Sequence, residues 1–231
     1  MNYADIKTID VQDGTGVRVS IYVSGCHFHC KGCHNKEAWD FNYGKKFDES
    51  TIEYILGLLD HDYISGLSIL GGEPMELVNQ QGLVPLVEAV KEKFPEKTIW
   101  LYTGYEFDKD LMGDMYNKND YTREILNHID IMVDGQFVEE QKLVNLKFRG
   151  STNQKKIDVQ ASLKEGKTVQ LKFGDEERYE SKDSKIVVFK EFKTRKEEST
   201  PITDGTSAIS AKNTEVTNDN VISITPAFEI K

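Results

Sequence analysis

Three cysteines are the residues of this sequence best suited to metal chemistry. The chain of 231 residues contains only Cys26, Cys30 and Cys33, which share one short segment with the spacing C-x3-C-x2-C. An odd number of cysteines so close together is a poor framework for disulfides. Thiolates are soft ligands that suit zinc and iron–sulfur clusters. The segment therefore predicts a metal site.

The spacing alone leaves the kind of metal site open. A closed structural zinc site needs four ligands, so a neighbouring histidine, His27, His29 or His34, would have to complete it. In the alternative, three thiolates bind three irons of a [4Fe–4S] cluster and leave the fourth iron open for a substrate. Zinc loops usually bring their ligands as two separated pairs. Three cysteines in one loop therefore favour the cluster.

A second motif lies one predicted strand later in the chain. Gly71, Gly72, Glu73 and Pro74 directly follow a short apolar segment, residues 67–70. Glycines allow a backbone to come close to a ligand, and carbonyls together with a carboxylate suit an ammonium group. Taken alone, this run is better explained as a turn. Its position after the cysteine segment instead favours a cofactor site.

The elements that must position these motifs follow from an alternation of strand and helix patterns. Strands are predicted over residues 17–23, 67–70, 98–102 and 131–133, with helices between them. Ser50 followed by Glu53 predicts a capping box at the start of the first helix. This alternation predicts an α/β fold with a mostly parallel sheet, in which the loops after the strands form the site.

Each candidate motif lies at the predicted carboxyl end of a strand. We therefore expect the cysteine segment and the Gly-Gly-Glu-Pro segment to meet Thr103-Gly104 and Asp134-Gly135 at one rim. A polar loop, residues 149–154, follows later in the chain. Capping and turn formation explain that loop, and the alternative is that Arg149 docks a partner or binds a carboxylate.

Composition limits the classes of function. The sequence has 29 Lys and Arg against 39 Asp and Glu, a net charge of −10, which argues against broad electrostatic binding of nucleic acid. No apolar run approaches the ~20 residues of a transmembrane helix. Charged residues within residues 1–10 are unlike a signal peptide. We expect a soluble, cytoplasmic protein without a membrane or nucleic-acid partner.

The composition changes near residue 160, where polar and charged residues become dominant. This change predicts a first domain over residues 1–160 and a carboxyl-terminal extension over residues 161–231. Residues 168–173 and 185–192 are predicted to pair as a hairpin, and the remainder is predicted to be a flexible tail.

The combined motifs resemble those of the radical S-adenosylmethionine enzymes, which have a C-x3-C-x2-C loop after the first strand and a Gly-Gly-Glu segment after the second. More narrowly, the sequence is similar to the activating proteins of anaerobic ribonucleoside-triphosphate reductases. The matching stretches are VSGCHFHCKGCHN (residues 23–35), LGGEPM (70–75), YTGY (102–105), MVDGQF (132–137) and LKFRGSTNQKKIDV (146–159).

The resemblance implies a fold and a set of site residues. The fold would be a partial (β/α) barrel of the radical S-adenosylmethionine type with a carboxyl-terminal extension. The ligands of a [4Fe–4S] cluster would be Cys26, Cys30 and Cys33, with S-adenosylmethionine at the open iron. The residues binding this cofactor would be Gly71, Gly72 and Glu73 at the methionine amino group, Pro74 in the turn, and Gly32, Cys33 and His34 near the adenine.

The resemblance also implies an activity. An electron from the reduced cluster would break the C5′–S bond, and the 5′-deoxyadenosyl radical would take hydrogen from a glycine of the reductase's glycyl radical subunit. No catalytic side chain beyond the cluster and cofactor is implied. A low-potential donor such as a flavodoxin would supply the electron. The alternatives are an activase of another glycyl radical enzyme, such as pyruvate formate-lyase, and a non-catalytic zinc or iron–sulfur binding module.

Overall fold

The computed structural model describes residues 1–172, which form one seven-stranded sheet and its covering helices. The strands are β1 (Asn2–Asp10), β2 (Val17–Val23), β3 (Lys45–Lys46), β4 (Ile64–Gly71), β5 (Thr98–Tyr102), β6 (Ile131–Asp134) and β7 (Lys155–Asp158). The α-helices are α1 (Glu49–Leu59), α2 (Leu77–Lys93), α3 (Tyr116–Lys118), α4 (Asp120–His128) and α5 (Val159–Glu165). A π-helical segment (Phe107–Met115) and two 3-10 turns (Lys36–Trp39 and Glu139–Gln141) complete the list.

The strand order confirms an α/β fold with a mostly parallel, mixed sheet. The order is β3-β1-β2-β4-β5-β6-β7, in which β2, β4, β5 and β6 run parallel. The outer strands β1, β3 and β7 pair antiparallel with their neighbours. Each parallel step requires a crossover connection, and helices provide these crossovers. The four parallel strands correspond to the four strands predicted from the sequence.

The two faces of the sheet differ in what covers them. One face packs against the helices through a large apolar core, which includes Ile21, Ile69 and Leu101 on neighbouring strands. The other face has a small apolar cluster around Trp100 and Val133. Since side chains alternate along a strand, the same strands supply both faces.

A buried arginine lies on the less apolar face. The Arg18 guanidinium is fully buried and donates to the Ser68 hydroxyl (2.7 Å), the Leu67 carbonyl (2.8 Å) and both oxygens of Thr98 (3.0 and 2.8 Å). Burial lowers its pKa to about 10. These hydrogen bonds link β2, β4 and β5 and satisfy the buried guanidinium. The interior on this face of the sheet is therefore polar around Arg18.

The local start of α1 differs from the prediction. Asp48, rather than Ser50, is the N-cap residue, and its carboxylate accepts a hydrogen bond from the Thr51 amide (3.2 Å). Ser50 lies inside the helix and donates its hydroxyl to the same carboxylate. The prediction of a capping box at Ser50 and Glu53 is therefore wrong. The helix begins earlier, at Glu49, and the Asp48 carboxylate accepts the hydrogen bond from the Thr51 amide in its first turn.

The end of the described chain runs along the sheet edge. Gln170 forms a bridge with Ile157 of β7, and the Leu171 amide donates to the Lys156 carbonyl (2.7 Å). Most of the predicted hairpin over 168–192 lies outside the described residues, as does the predicted tail, and the boundary at residue 160 stays a prediction. Within residues 1–172, no helix is long and apolar enough to cross a membrane.

Candidate metal centre and cofactor cleft

A cleft of about 910 Å³ lies at the carboxyl ends of the parallel strands. All four predicted strand-end loops contribute to it, as the register of the sheet requires, since Val23 at the end of β2 pairs with Gly71 at the end of β4. Tyr102 and Val133 likewise pair at the ends of β5 and β6. The loop residues lining the cleft include Cys26, Cys30, Gly32, Cys33, His34, Gly71, Gly72, Glu73, Thr103, Gly104 and Gly135.

The cysteine loop is held by backbone hydrogen bonds at its start. The Gly25 amide donates to the Ala38 carbonyl (2.8 Å) and the Cys26 amide to the Trp39 carbonyl (3.1 Å), so the loop closes on the 3-10 turn that follows it. Gly25 has a positive φ of 97°, and a Cβ there would lie 2.2 Å from the Phe41 ring. Only glycine fits this position, where the aromatic ring packs on the backbone ahead of the first cysteine.

The three thiols share the cleft and differ in burial. All are free; Cys26 is 7% exposed, whereas Cys30 and Cys33 are half-buried. Burial raises the pKa of the Cys26 thiol to about 11, while the amides of Phe28 and His29 act against this by hydrogen bonding to the sulfur. Burial also raises the pKa of Cys30, and the Phe137 amide opposes it. The Cys26 and Cys30 thiols are thus poor anions alone, and backbone amides donate hydrogen bonds to both sulfurs.

These residues fit an iron–sulfur cluster. Thiolates are the usual ligands of such clusters, and hydrogen bonds to the sulfurs are one means by which proteins tune them. A cationic metal centre would also offset the burial that disfavours the Cys26 anion. Across residues 1–172, no three His, Cys, Asp or Glu side chains are arranged around a single-ion site. The candidate zinc ligands His27, His29 and His34 are all exposed.

The glycines after β4 bring two loops together. The Gly72 amide donates to the Val23 carbonyl (2.7 Å), and the Glu73 amide donates to the Gly25 carbonyl (2.8 Å). A Cβ on Gly72 would lie 2.5 Å from the Gly25 oxygen, and Gly71 has a positive φ of 113°. The sequence predicted that these glycines admit a ligand. In the structure they line the cleft and also admit the cysteine loop, which makes the two motifs one unit.

The Glu73 side chain has protein partners that the sequence did not predict. It is 1% exposed, and its carboxylate accepts from the Thr103 hydroxyl (2.6 Å), the Gly104 amide (2.7 Å) and the Met75 amide (2.8 Å). Burial raises its pKa to about 7, and the three donors act in the opposite direction. The carboxylate thus ties the end of β4 to the end of β5. A contact to a cofactor amino group stays a prediction.

The beginning of α2 holds the cysteine loop through two residues that sequence reasoning missed. Glu76 accepts from the His27 amide (3.1 Å) and contacts its Nδ1 (2.9 Å). The buried side-chain amide of Asn79 donates through Nδ2 to the Ser24 carbonyl (3.0 Å) and the Glu73 carbonyl (2.9 Å). Glu76 adjoins the predicted motif, which was a usable signal, whereas nothing in the local pattern marks Asn79.

The segment predicted to lie near adenine forms one wall of the cleft. Gly32 has a positive φ of 75°, and a Cβ there would lie 2.7 Å from the Glu139 carboxylate. The adjacent Lys31 ammonium is 3.1 Å from both the Glu139 and Glu140 carboxylates, so exposed ion pairs join this wall to the segment after β6. Pro74, by contrast, is buried in the turn, away from the cleft lining.

The loop after β6 combines structural and cleft-lining residues. Asp134 is buried and accepts hydrogen bonds from the amides of Phe107 (2.8 Å) and Lys155 (3.2 Å), while Gly135 lines the cleft. Arg149 also lines the cleft and donates to the Gln154 carbonyl (2.6 Å). The buried Asp134 carboxylate therefore stabilises the loop after β6, whereas Gly135 and Arg149 face the cleft.

Comparison with known proteins supports an iron–sulfur cluster in this chain. A family model described as a 4Fe-4S single cluster domain matches residues 12–157. The chain is similar to the anaerobic ribonucleoside-triphosphate reductase-activating protein of Haemophilus influenzae, at 38% identity over 156 residues, which are 67% of this chain and 96% of the relative. The proteins of the same name from Enterobacteria phage T4 (37% over 157 residues, 67% and 92%) and Escherichia coli (34% over 156 residues, 67% and 96%) are also similar.

Proposed function

This chain belongs to the family of anaerobic ribonucleoside-triphosphate reductase-activating proteins, and from that premise we propose that it generates the glycyl radical of such a reductase. The proposed enzyme is a radical S-adenosylmethionine oxidoreductase that acts on the reductase's glycyl radical subunit. The observation that carries this proposal is the junction of two motifs, in which the Glu73 amide donates to the Gly25 carbonyl beside Cys26.

Cys26, Cys30 and Cys33 are the proposed ligands of a [4Fe–4S] cluster. Bound and reduced, such a cluster would supply one electron for the cleavage of S-adenosylmethionine, which would provide the means of removing a hydrogen atom from the target glycine. The protein's part is to bind, orient and exclude water. The free thiols, their amide donors and their common cleft support this assignment.

The S-adenosylmethionine site is proposed to lie along the same rim. The backbone of Gly71 and Gly72 would face the methionine amino group, and Pro74 would shape the turn. The Glu73 side chain would act indirectly, by fixing the Thr103-Gly104 loop. The backbone of Gly32, Cys33 and His34 would face the adenine. The parallel strands β2, β4, β5 and β6 would form the partial (β/α) barrel around this site.

The cellular setting is part of the same proposal. Three free thiols within one segment suit a protein of the cytoplasm, a compartment in which disulfides are rare. The cluster needs a low-potential electron donor, for which a flavodoxin is the proposed class.

Removal of a cluster ligand tests the proposal. Cys30→Ala should abolish both iron retention and S-adenosylmethionine cleavage, because three thiolates are required to hold the cluster. His29→Ala, at the neighbouring exposed position, should retain the cluster. Both proteins would be prepared without oxygen and assayed for iron, sulfide, visible absorbance and 5′-deoxyadenosine.

The target is tested separately. Reduced protein, S-adenosylmethionine and the reductase, mixed without oxygen, should give the electron paramagnetic resonance doublet of a glycyl radical. Cleavage without that doublet would contradict the assigned target. A colourless protein with stoichiometric zinc would contradict the whole proposal, as would full turnover by Cys30→Ala.

A further inference from the structure

The loop of residues 142–149 borders the cleft and has no part in the chemistry proposed above. Its base is firmly held, because Lys142 and Ser151 form an antiparallel bridge across it. The Thr152 amide also donates to the Gln141 carbonyl (3.0 Å). The loop therefore projects from a fixed point.

Gln154 connects this base to the rim of the sheet. Its side-chain oxygen accepts from the amides of Gly150 (2.8 Å) and Ser151 (3.1 Å), and its side-chain nitrogen donates to the Gly135 carbonyl (2.9 Å). Gly135 directly follows β6. The position of the 142–149 loop is thus set by the same strand ends that form the cleft.

One side of the 142–149 loop is anchored in the cleft. Leu143, Leu146 and Phe148 contribute to the cleft lining. The Phe148 ring packs edge-to-face on Trp100, with centroids 5.2 Å apart and planes at 77°. Phe148 also has a positive φ of 59°, which is uncommon for an aromatic residue and persists only when surrounding contacts impose it. The loop is therefore built into a defined conformation.

The 142–149 loop also presents apolar surface to solvent at residues 143 and 144. Val144 is 98% exposed and Leu143 is 52% exposed. Single exposed apolar residues are common on protein surfaces and need no explanation. Two consecutive ones, on an anchored loop at the edge of the candidate site, form an apolar tip that a partner can cover.

Charge indicates the chemistry of that partner. The loop reads KLVNLKFR, so it contains Lys142, Lys147 and Arg149 and no acidic residue, although the whole chain has a net charge of −10. The acidic residues just before it, Glu139 and Glu140, form ion pairs with Lys31. The loop is thus a local basic, apolar edge that is complementary to an acidic, partly apolar chain segment.

We propose that the 142–149 loop is the docking surface for the reductase, and that it binds an acidic, partly apolar segment adjoining the glycine that enters the cleft. This rests on the proposed function, because the glycine-bearing protein is the partner that must reach this cleft. The loop is continuous with the cleft lining, so a chain entering the site meets the exposed Leu143 and Val144. Contact there would align the target before reaction.

Two substitutions test the docking surface, with one matched control. Val144→Asp replaces the apolar tip, and Lys142→Glu reverses a charge at the base. Val11→Asp is the control for Val144→Asp, because it also replaces an exposed valine by aspartate. Val11 lies in the turn before β2, at the amino end of that strand. Kd for the reductase would be measured without oxygen by biolayer interferometry on the full-length, cluster-loaded proteins.

We expect Val144→Asp and Lys142→Glu each to raise Kd at least about tenfold, and Val11→Asp to leave it within about twofold. Val144→Asp should cleave S-adenosylmethionine at the normal rate when dithionite is the reductant and no reductase is present. Unchanged Kd values for both loop variants would overturn the proposal, as would an equal loss with Val11→Asp. So would a change only in self-association, measured by sedimentation, which would assign the loop to a second copy of this chain. Failure of the wild-type protein to cleave the cofactor would instead count against the proposed function.

Discussion

At the scale of single residues, the Glu73 carboxylate stabilises the loops that form the site through hydrogen bonds within the protein. Removing a carboxylate from water disfavours its anion, and this burial raises the pKa of Glu73 to about 7. Three donors from two loops satisfy its oxygens. The hydrogen bonds matter more than the charge in this geometry, because both oxygens are needed as acceptors.

Replacing this carboxylate by an amide tests that interpretation. Glu73→Gln turns one acceptor into an NH2 group that faces a donor, either the Thr103 hydroxyl or the Gly104 amide. The free energy of unfolding should fall by about 1–3 kcal/mol, and the affinity for S-adenosylmethionine should fall with it. Urea unfolding and equilibrium binding would measure the two effects. Glu88→Gln, at an exposed position on α2, should change stability by less than about 0.5 kcal/mol.

A second carboxylate, Asp13, lies elsewhere in the cleft lining. Burial raises its pKa from 3.8 to about 6; the neighbouring Asp10 carboxyl adds to this, and a hydrogen bond from the Tyr22 hydroxyl (2.6 Å) opposes it. The folded chain therefore holds this proton more tightly than the unfolded chain. The resulting stabilisation is present below the unfolded pKa and is lost as the pH rises through about 6.

Asp13→Asn should remove this pH dependence. Asparagine has no proton to lose, so the stability of the variant relative to the wild type should increase by about 1–2 kcal/mol between about pH 4 and pH 7, after allowance for partial exposure. Urea unfolding of the cluster-free chain across this range would measure it. A difference that stays constant with pH would contradict the assignment. Asp62→Asn, at an exposed position, provides the comparison.

At the scale of elements, the first turn of α2 acts as a clamp on the site. Asn79 bonds to carbonyls of both motif loops, and Glu76 bonds to His27 within the cysteine loop. A helix is a rigid support, so two contacts from one turn fix the loops relative to each other. The separation between cluster ligands and cofactor loop is thus set by a helix that supplies no ligand.

Truncating the clamp should loosen the site before it unfolds the protein. Asn79→Ala leaves the Ser24 and Glu73 carbonyls without this donor, which should cost about 1–3 kcal/mol of stability. The affinity for S-adenosylmethionine should also fall several-fold, while iron content stays near normal because the cysteines are unchanged. Asn127→Ala, at an exposed site on α4, is the matched control and should alter neither quantity. Normal cofactor affinity in Asn79→Ala would refute the clamp.

At the scale of the whole molecule, the sheet and the candidate site are both found in the described part of the chain. The family model ends at residue 157, and the relatives are matched over 156 or 157 residues, nearly their full length. Within residues 1–172, the cleft lining extends as far as Gln154, and Leu171 belongs to the small apolar cluster on Trp100. Residues 1–172 therefore contain the proposed cluster ligands and the proposed cofactor loops.

A chain ended after Lys172 should therefore retain the activity. It should bind iron and sulfide at the full-length ratio and cleave S-adenosylmethionine within about twofold of the full-length rate, because no cleft residue or sheet strand of the described structure is removed. Iron analysis, thermal unfolding and 5′-deoxyadenosine formation would compare the two chains. A soluble, folded short chain without cofactor cleavage would show that residues 173–231 contribute to the reaction.

The sequence by itself determined the chemical character of the site and the class of fold. Cys26, Cys30 and Cys33 share one loop, so their spacing is a local property that can be read without coordinates. The four parallel strands were likewise predictable, since each is a short apolar run ended by a turn signal. The outer strands β1, β3 and β7 were missed, because their polar residues weaken the pattern that identifies buried strands.

Only the tertiary structure decided how the site is held together. The Thr103 hydroxyl reaches Glu73 across 30 residues of sequence, and Asn79 reaches Ser24 across 55. Such contacts depend on the register of neighbouring strands and the placement of a helix, and no local pattern encodes them. The same is true of Arg18, whose charge would predict exposure. It is buried because acceptors from β4 and β5 converge on it only after the sheet has formed.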